Sequence, residues 1–206
     1  MTRMRMAFAL IGILAMLPLG AACSREPEAP GRAWTEDAPD SLEPLPIGGD
    51  FTLTDTDGRP FSLADHRGKA VVLFFGFASC PDFCPAAMSK VKAALGELGE
   101  DRSRVLTVFV SVDPERDTPE VLRAYLGNFG IDAVGVTGSH EELQKVARQY
   151  AAHYEKEETG SAMGYQVVHT TYLFVLDPQG RVRRLIRHDE PAEVLARTLE
   201  RLLDGA

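Results

Sequence analysis

The sequence predicts one α/β domain, with a sheet of mixed strand direction flanked by helices and a small β-hairpin at its N-terminal end. Three observations lead to this fold class. Two continuous apolar runs have the composition of strands that are buried on both faces. Segments with helical periodicity and capping signals alternate with these runs, and two further strands joined by a tight turn precede a final helix.

The first half of the domain carries the hairpin and both buried strands. Alternating apolar residues in 51–53 and 61–63 flank the turn sequence Asp57-Gly58, which predicts a hairpin. The runs 70–77 and 105–112 are almost wholly apolar and predict the central strands. Between them, residues 86–98 place Val91, Leu95 and Leu98 on one side of a helix.

The second half has clearer end signals. Thr118 and Pro119 predict a helix start, because threonine caps the first turn and proline fits within it. Ser139 and Glu142 form a capping-box pattern before a helix that runs to about Tyr150. Residues 155–164 are predicted to be a long polar loop. Segments 171–176 and 182–187 predict two strands, and 191–203 predicts an amphipathic helix.

The first 46 residues are predicted to be a signal peptide and a tether. Arg3 and Arg5 precede an apolar run at 6–19 and three small residues, which is typical of a signal peptide over 1–22. Cys23 follows at the position of the acylated cysteine of bacterial lipoproteins. Residues 23–46, rich in Pro, Glu and Ala, predict a flexible lipid-anchored tether to a folded domain over 47–206. An ordinary cleaved signal, with Cys23 nearby by chance, is the alternative. Either reading predicts an extracytoplasmic, periplasmic-side domain.

The composition is that of a globular, acidic protein. Hydrophobic residues make up 45% of the 206 residues, charged residues 25%, and the formal net charge is −8. Non-specific binding to nucleic acid depends on lysine and arginine neutralising phosphates, so no nucleic-acid partner is expected. The negative charge fits a cationic ligand or a basic partner, although solubility alone explains it equally well.

Cys80 and Cys84 are the main candidates for chemistry. They lie between the first buried strand and the first long helix, at the sheet edge where ligands of α/β proteins gather. A helix N-terminus favours the thiolate, which is the form that binds metals and attacks disulfides. A redox-active pair that can form a disulfide is therefore predicted. A purely structural disulfide is the alternative, but so short a loop would add little stability.

A metal site needs a third ligand, and histidine is the obvious donor. Of the five histidines, His169 has the most suggestive position, at the start of a predicted buried strand that follows the long polar loop. A histidine at a strand end is more often simply hydrogen-bonded, so spacing alone does not select it. The other four are expected at the surface: His66, His140, His153 and His188.

Three ordered motifs together resemble the Sco/SenC family, copper proteins of cytochrome c oxidase assembly. The first is the run from Cys80 to Pro85, with the sequence CPDFCP. The second is VDPERDT over residues 112–118, and the third is VHT over 168–170, followed by LDPQG over 176–180. The resemblance covers roughly residues 51–203. Three motifs in order are far more specific than one pair of cysteines.

The resemblance implies a thioredoxin-like fold and copper bound by Cys80, Cys84 and His169. It also implies a metallochaperone whose acceptor is subunit II of cytochrome c oxidase and which receives copper from a donor protein. The chain departs from the family at Val168, where an acidic residue often precedes the histidine, and at Ala78-Ser79, where threonine and histidine are common. These departures concern the tuning of the site rather than its ligands.

Several alternatives remain open at this point. A thiol–disulfide oxidoreductase that reduces the cysteines of the oxidase copper site would use Cys80 and Cys84 without His169. A peroxidase would use the same cysteines and leave the histidine motif unexplained. Met163 offers a soft sulfur, but a packing or solvent role is the simpler expectation. Asp113 is expected mainly in a turn, with proximity to the cysteines as a minor hypothesis. The acids from 155 to 158 are expected to be solvated.

Overall fold

The structure is a computed structural model that describes residues 42–160 and 164–205. Within these residues the strands are β1 Thr52–Asp55, β2 Pro60–Ser62, β3 Ala70–Gly76, β4 Val105–Ser111, β5 Ala133–Thr137, β6 Tyr154–Glu158, β7 Tyr165–His169, β8 Leu173–Leu176 and β9 Val182–Ile186. The helices are α1 Phe83–Glu97, α2 Pro119–Gly127, α3 His140–Gln149 and α4 Ala192–Asp204, with short 3₁₀ turns at Leu63–His66 and Gly99–Arg104.

The main sheet has the mixed strand direction that the sequence predicts. Its strand order is β2-β1-β5-β4-β3-β8-β9. The central strands β3, β4 and β5 pair in parallel, while β8 and β9 pair antiparallel on one side and the β1–β2 hairpin lies on the other. The predicted hairpin and the predicted fold class are both confirmed.

The two central strands are buried along their whole length. Every residue of β3 and of β4 is buried. Phe74 and Phe75 point to opposite faces, where Phe74 contacts Phe109 and Phe75 contacts Tyr150 and Phe174. Apolar side chains on both faces require cover on both sides, which is why these strands read as continuous apolar runs.

The predicted starts of α2 and α3 are confirmed, and side chains cap both helices. The Thr118 hydroxyl accepts a hydrogen bond from the backbone N–H of Val121, and Ser139 with Glu142 forms a complete capping box at α3. The first helix differs from the prediction, because α1 begins at Phe83 rather than at residue 86. Its first turn therefore includes Cys84 and Pro85, and proline is compatible with that turn because the first N–H groups of a helix have no partner within it.

The predicted polar loop over 155–164 is wrong. Tyr154–Glu158 and Tyr165–His169 pair antiparallel as a separate two-stranded ribbon, in which Tyr154 faces His169. Only Val167 is buried along this ribbon, so the sequence lacks the apolar alternation that signals a strand. His169 consequently ends β7 rather than beginning a buried strand, and the buried strand β8 begins at Leu173. Strand β5 was not predicted at all.

The last residues of the predicted tether contact the domain. Leu42 and Leu45 are partly buried against the core, and the Leu45 N–H donates a hydrogen bond of 2.8 Å to the Val182 carbonyl. Cys23, the signal-peptide region 1–22 and the rest of the tether lie outside the described residues. Among residues 42–160 and 164–205, no helix has the length and apolar character needed to cross a membrane.

Candidate metal centre

The two cysteines lie at the junction between β3 and α1. The backbone N–H of Cys80 donates to the Phe77 carbonyl over 3.2 Å, which forms a tight turn directly after the strand. Cys84 lies in the first turn of α1, and its backbone N–H donates to the Cys80 sulfur over 3.4 Å. Both cysteines are free and buried. The turn and the helix start therefore bring the two sulfurs to one point at the edge of the sheet.

Gly76, the last residue of β3, makes room for Cys84. A Cβ atom at this position would lie 2.9 Å from the Cys84 sulfur, 2.7 Å from the Phe74 ring and 2.9 Å from the Phe109 ring. Any of these contacts would force the site to shift. Gly76 therefore contributes to the site because it has no side chain. This role was not predicted from the sequence.

His169 reaches the cysteines from the end of β7. Its Nδ1–H donates to the Thr170 carbonyl over 2.9 Å, so the lone pair of Nε2 is free to face the cysteines. The Nε2 atom lies 3.5 Å from the Cys84 sulfur. The ring packs edge-on against Phe74 and Phe77, with centroid distances of 5.7 and 5.6 Å. These contacts fix both the tautomer and the orientation that a metal ligand needs.

The sulfurs of Cys80 and Cys84 and a ring nitrogen of His169 all lie within 4.8 Å of one another. Three donors at this separation can surround a single ion at bonding distances after small adjustments. Thiolate sulfur selects soft ions such as Cu(I), and imidazole suits copper and zinc alike. The donor set therefore fits copper, and the sequence-predicted residues do converge in space.

The two thiols have opposite acidities. A hydrogen bond from the Cys84 thiol lowers the pKa of Cys80, and the backbone N–H groups of Asp82 and Cys84 add to this effect against the opposing effect of burial. The same hydrogen bond, together with burial, raises the pKa of Cys84. The metal-free pair is therefore one thiolate and one thiol. A bound cation would displace the remaining proton, because metals bind cysteine as thiolate.

A mostly apolar cleft of about 270 Å³ opens beside Cys80 and His169. Phe83 and Val168 line it and are 43% and 47% exposed. The remaining lining residues are Phe77, Ser79, Pro81, Asp82, Arg116, Tyr165, Gln166, Val167 and Thr171. The cleft gives another molecule access to the donor atoms from one side.

Two buried carboxylates lie in the segment that links β4 to α2. Asp117 accepts hydrogen bonds from the Ala78 N–H and the Ser111 hydroxyl. Asp113 pairs with Arg116 of the same segment and accepts a hydrogen bond from the Tyr165 hydroxyl, which links it to the ribbon. Neither Asp117 nor Tyr165 was predicted as a site residue. Asp117 lies within the VDPERDT motif of residues 112–118, whereas Tyr165 lies in none of the quoted motifs.

The remaining candidates are not members of the cluster or lie outside the described residues. His66 stacks on Phe61 with a centroid distance of 4.9 Å, and the other three histidines are exposed: His140, His153 and His188. The three acids of the ribbon, Glu155, Glu157 and Glu158, are exposed as expected. Met163 lies outside the described residues.

The fold and the site define a class of protein: a thioredoxin-like domain with a dithiol and an imidazole at the carboxyl end of its central strand. Comparison with known families is more specific. The SCO1/SenC family model matches residues 39–204. The chain therefore belongs to the SCO1/SenC family.

Solved and curated relatives agree with this assignment. The copper-bound ScoI of Bradyrhizobium japonicum is 34% identical, with a TM-score of 0.69 over 76% of this chain and 99% of that chain. A SCO1/SenC family lipoprotein from Bacillus anthracis is 29% identical, with a TM-score of 0.66 over 78% of this chain and 97% of that chain. The mitochondrial SCO2 protein of Saccharomyces cerevisiae is 34% identical over 137 residues, which are 66% of this chain and 46% of that protein. The match thus spans about half of the yeast relative.

Proposed function

We propose that this chain binds a single copper ion through Cys80, Cys84 and His169. The observation that carries the proposal is the convergence of two sulfurs and one imidazole nitrogen within 4.8 Å. A relative that is 34% identical has been solved with copper bound, which supports copper over other soft ions. Two thiolates and one imidazole satisfy Cu(I) with three ligands and leave one side open to a fourth.

A copper titration tests the ligand set. The reduced metal-free domain is titrated with Cu(I) against a chromophoric Cu(I) chelator, alongside Cys80→Ser, Cys84→Ser and His169→Ala. The expected result is one Cu(I) per wild-type chain and at least tenfold weaker binding in each variant, since each loses one ligand bond. His66→Ala is the matched control, because the His66 ring stacks on Phe61 of the β1–β2 hairpin and is not part of the cluster. Unchanged affinity in His169→Ala would contradict the ligand assignment.

We propose further that the copper is cargo for the copper site of cytochrome c oxidase. Membership of the SCO1/SenC family supports this role, and the cleft beside Cys80 would let an acceptor approach the ion. An acceptor with its own thiolates can replace the three ligands one at a time, so the ion need never be released into water. A donor protein would load the site by the reverse exchange.

Transfer is measured with a purified acceptor. The Cu(I)-loaded chain is mixed anaerobically with the reduced, metal-free soluble domain of oxidase subunit II, the two proteins are separated, and the copper bound to each is measured. We expect transfer from the wild type and none from the disulfide form of Cys80 and Cys84. Equal transfer from free copper–glutathione would contradict a specific role in delivery.

A second candidate function is thiol–disulfide exchange, and the unequal acidity of the two cysteines favours it. The Cys80 thiolate would attack an acceptor disulfide, and Cys84 would then resolve the mixed disulfide. Two electrons pass to the acceptor, and this chain is left with a Cys80–Cys84 disulfide that a separate dithiol reductant must reduce. Because His169 takes no part in these steps, His169→Ala should keep disulfide reductase activity while losing copper.

We infer that the domain acts outside the cytoplasm and is anchored to the membrane through a lipid on Cys23. Arg3 and Arg5, the apolar run and the small residues before Cys23 support this location, and the similarity to a SCO1/SenC lipoprotein agrees with it. Cys23→Ser in the full chain should move the protein from the membrane fraction to the soluble periplasmic fraction. Retention in the membrane fraction would contradict the anchor.

A further inference from the structure

The segment that links β4 to α2, residues 112–118, contacts both halves of the metal centre. On the cysteine side, Asp117 is 1% exposed, and its Oδ2 accepts hydrogen bonds from the Ala78 N–H over 2.9 Å and from the Ser111 hydroxyl over 2.7 Å. Ala78 belongs to the short stretch between β3 and Cys80. Asp117 therefore ties the approach to Cys80 to the end of β4.

On the histidine side, the same segment holds the start of β7. Asp113 is completely buried and accepts a hydrogen bond of 2.7 Å from the Tyr165 hydroxyl. Arg116 pairs with Asp113, donates to the Tyr165 carbonyl over 3.1 Å, and lies over the Tyr165 ring at 3.9 Å from its centroid. Tyr165 begins the strand that ends at His169.

The ribbon that carries His169 needs such an attachment. It is two-stranded and separate from the main sheet, and an isolated two-stranded hairpin is marginally stable in water. Its other strand is tied to the same segment, because Lys156 pairs with Glu115 over 2.6 Å. The segment is itself compact, since the N–H groups of Arg116 and Asp117 both donate to the Asp113 carbonyl.

We propose that residues 112–118 set the separation between the sulfurs and the imidazole, with Asp117 positioning the cysteine half and Tyr165 positioning the histidine half. The proposal rests on the proposed copper function and adds residues that bind no copper themselves. Substitutions in the two halves of the site should therefore have different effects. A change at Tyr165 should disturb only what depends on His169, whereas a change at Asp117 should disturb everything that depends on Cys80.

The first experiment compares Tyr165→Phe with the wild type. Phenylalanine keeps the ring under Arg116 and removes only the hydroxyl, which donates to Asp113 and also lies 3.4 Å from a Glu115 carboxylate oxygen. We expect about tenfold weaker Cu(I) binding, because hydrogen bonds to charged groups contribute on this order. The dithiol–disulfide midpoint potential of the metal-free protein should change less than in Asp117→Ala, since the two sulfurs carry the reaction and His169 contributes a contact of 3.5 Å with Cys84. Tyr172→Phe is the control, because Tyr172 is 36% exposed and loses only its hydroxyl in the same way.

The second experiment compares Asp117→Ala with Asp117→Asn. Alanine removes the acceptor of the Ala78 N–H, so both Cu(I) affinity and the midpoint potential should change, the former by about tenfold. Asparagine keeps an acceptor oxygen at the same place and should restore most of both quantities. If the alanine variant does not fold, the asparagine and Tyr165→Phe variants still decide the outcome.

The outcomes separate this inference from the proposed function. Failure of the wild type to bind Cu(I) would refute the copper function and this inference with it. If the wild type binds but Tyr165→Phe binds equally tightly, only the positioning role is refuted. A midpoint shift in Tyr165→Phe as large as that in Asp117→Ala would refute the division into two halves. An Asp117→Asn variant as impaired as Asp117→Ala would refute anchoring by the acceptor oxygen.

Discussion

Small features of single residues decide whether the donor atoms meet. The His169 ring is held by one hydrogen bond to a carbonyl and by contacts with two aromatic rings. Its Nε2 atom is therefore already directed at the sulfurs before any ion binds. Gly76 leaves the space into which the Cys84 sulfur fits. Both effects are preorganisation, which lowers the cost of binding because the ligands are already in place.

Gly76→Ala, a substitution in β3, should lower both the stability of the fold and the affinity for Cu(I). The added methyl group would overlap the Cys84 sulfur and the Phe74 and Phe109 rings, and such overpacking costs about 1–3 kcal/mol. We expect a lower midpoint in urea unfolding together with weaker Cu(I) binding. Gly96→Ala is the control, because a Cβ at Gly96 meets nothing within 4 Å and alanine favours the helix. A Gly76→Ala protein as stable as the wild type would contradict the close packing.

Alkylation of the reduced, metal-free protein should report the unequal thiols. Because the pKa of Cys80 is lowered and that of Cys84 is raised, Cys80 should react with iodoacetamide first. Between pH 8 and pH 6, its rate should fall much less than the rate of free glutathione, whose thiolate fraction drops about a hundredfold over that range. Mass spectrometry of peptides identifies the modified cysteine. A parallel fall for Cys80 and glutathione would contradict a lowered pKa.

Among the structural elements, the turns and the two-stranded ribbon position the metal ligands more directly than the central strands do. The turn between β8 and β9 is built around Asp177, which is 2% exposed and accepts hydrogen bonds from the backbone N–H groups of Gln179 and Arg181. Gly180 completes the turn at a positive φ of 78°, where its missing side chain also leaves space for Arg67. This turn sets the register of the strand that follows the His169 ribbon.

Asp177→Asn should destabilise the domain in a pH-dependent way. Burial alone would raise the pKa of Asp177, but the Arg181 N–H and the guanidinium groups of Arg183 and Arg181 outweigh burial and lower it below its ordinary value of 3.8. A lowered pKa stabilises the folded state above the ordinary value, and this stability is lost as the pH falls through the folded-state value. We expect a cost of about 2 kcal/mol at pH 7 that shrinks towards pH 3 in urea unfolding. The exposed Asp65→Asn should show neither effect, and a cost independent of pH would contradict the ion pairs.

At the scale of the whole molecule, the metal centre joins parts of the chain that are far apart in sequence. Cys84 and His169 are 85 residues apart and belong to the main sheet's first helix and to the separate ribbon. An ion bound by both would link these parts in the folded state only. Copper binding should therefore stabilise the fold as well as fill the site.

Thermal unfolding should show this coupling. Cu(I) buffered at a free concentration of about 100 times Kd should raise the Tm of the reduced wild type, since binding at that concentration adds about 2.7 kcal/mol. His169→Ala should gain less, because the ribbon is then no longer linked to the ion. Removal of copper by a strong chelator should return the wild type to its original Tm. An equal rise in both proteins would contradict a bond to His169.

The periodic and local features of this protein could be predicted from its amino-acid sequence. The apolar runs of β3 and β4, the caps at Thr118 and Ser139 and the turn after Asp177 depend on neighbouring residues, so each could be predicted from the chain alone. The candidate donors Cys80, Cys84 and His169 also came from ordered motifs. Their types were clear, because few side chains offer soft donors.

The way in which those donors meet depends on long-range contacts and could not be predicted from the sequence. The polar ribbon gives no periodic signal, since its stability comes from pairing and from side-chain contacts to residues 112–118 rather than from a buried face. The space at Gly76 is bounded in part by Phe109 of the neighbouring strand, and the hydrogen bond from Ala78 to Asp117 joins residues that are 39 positions apart. No local sequence pattern encodes such contacts. Long-range packing therefore turned three candidate residues into one site.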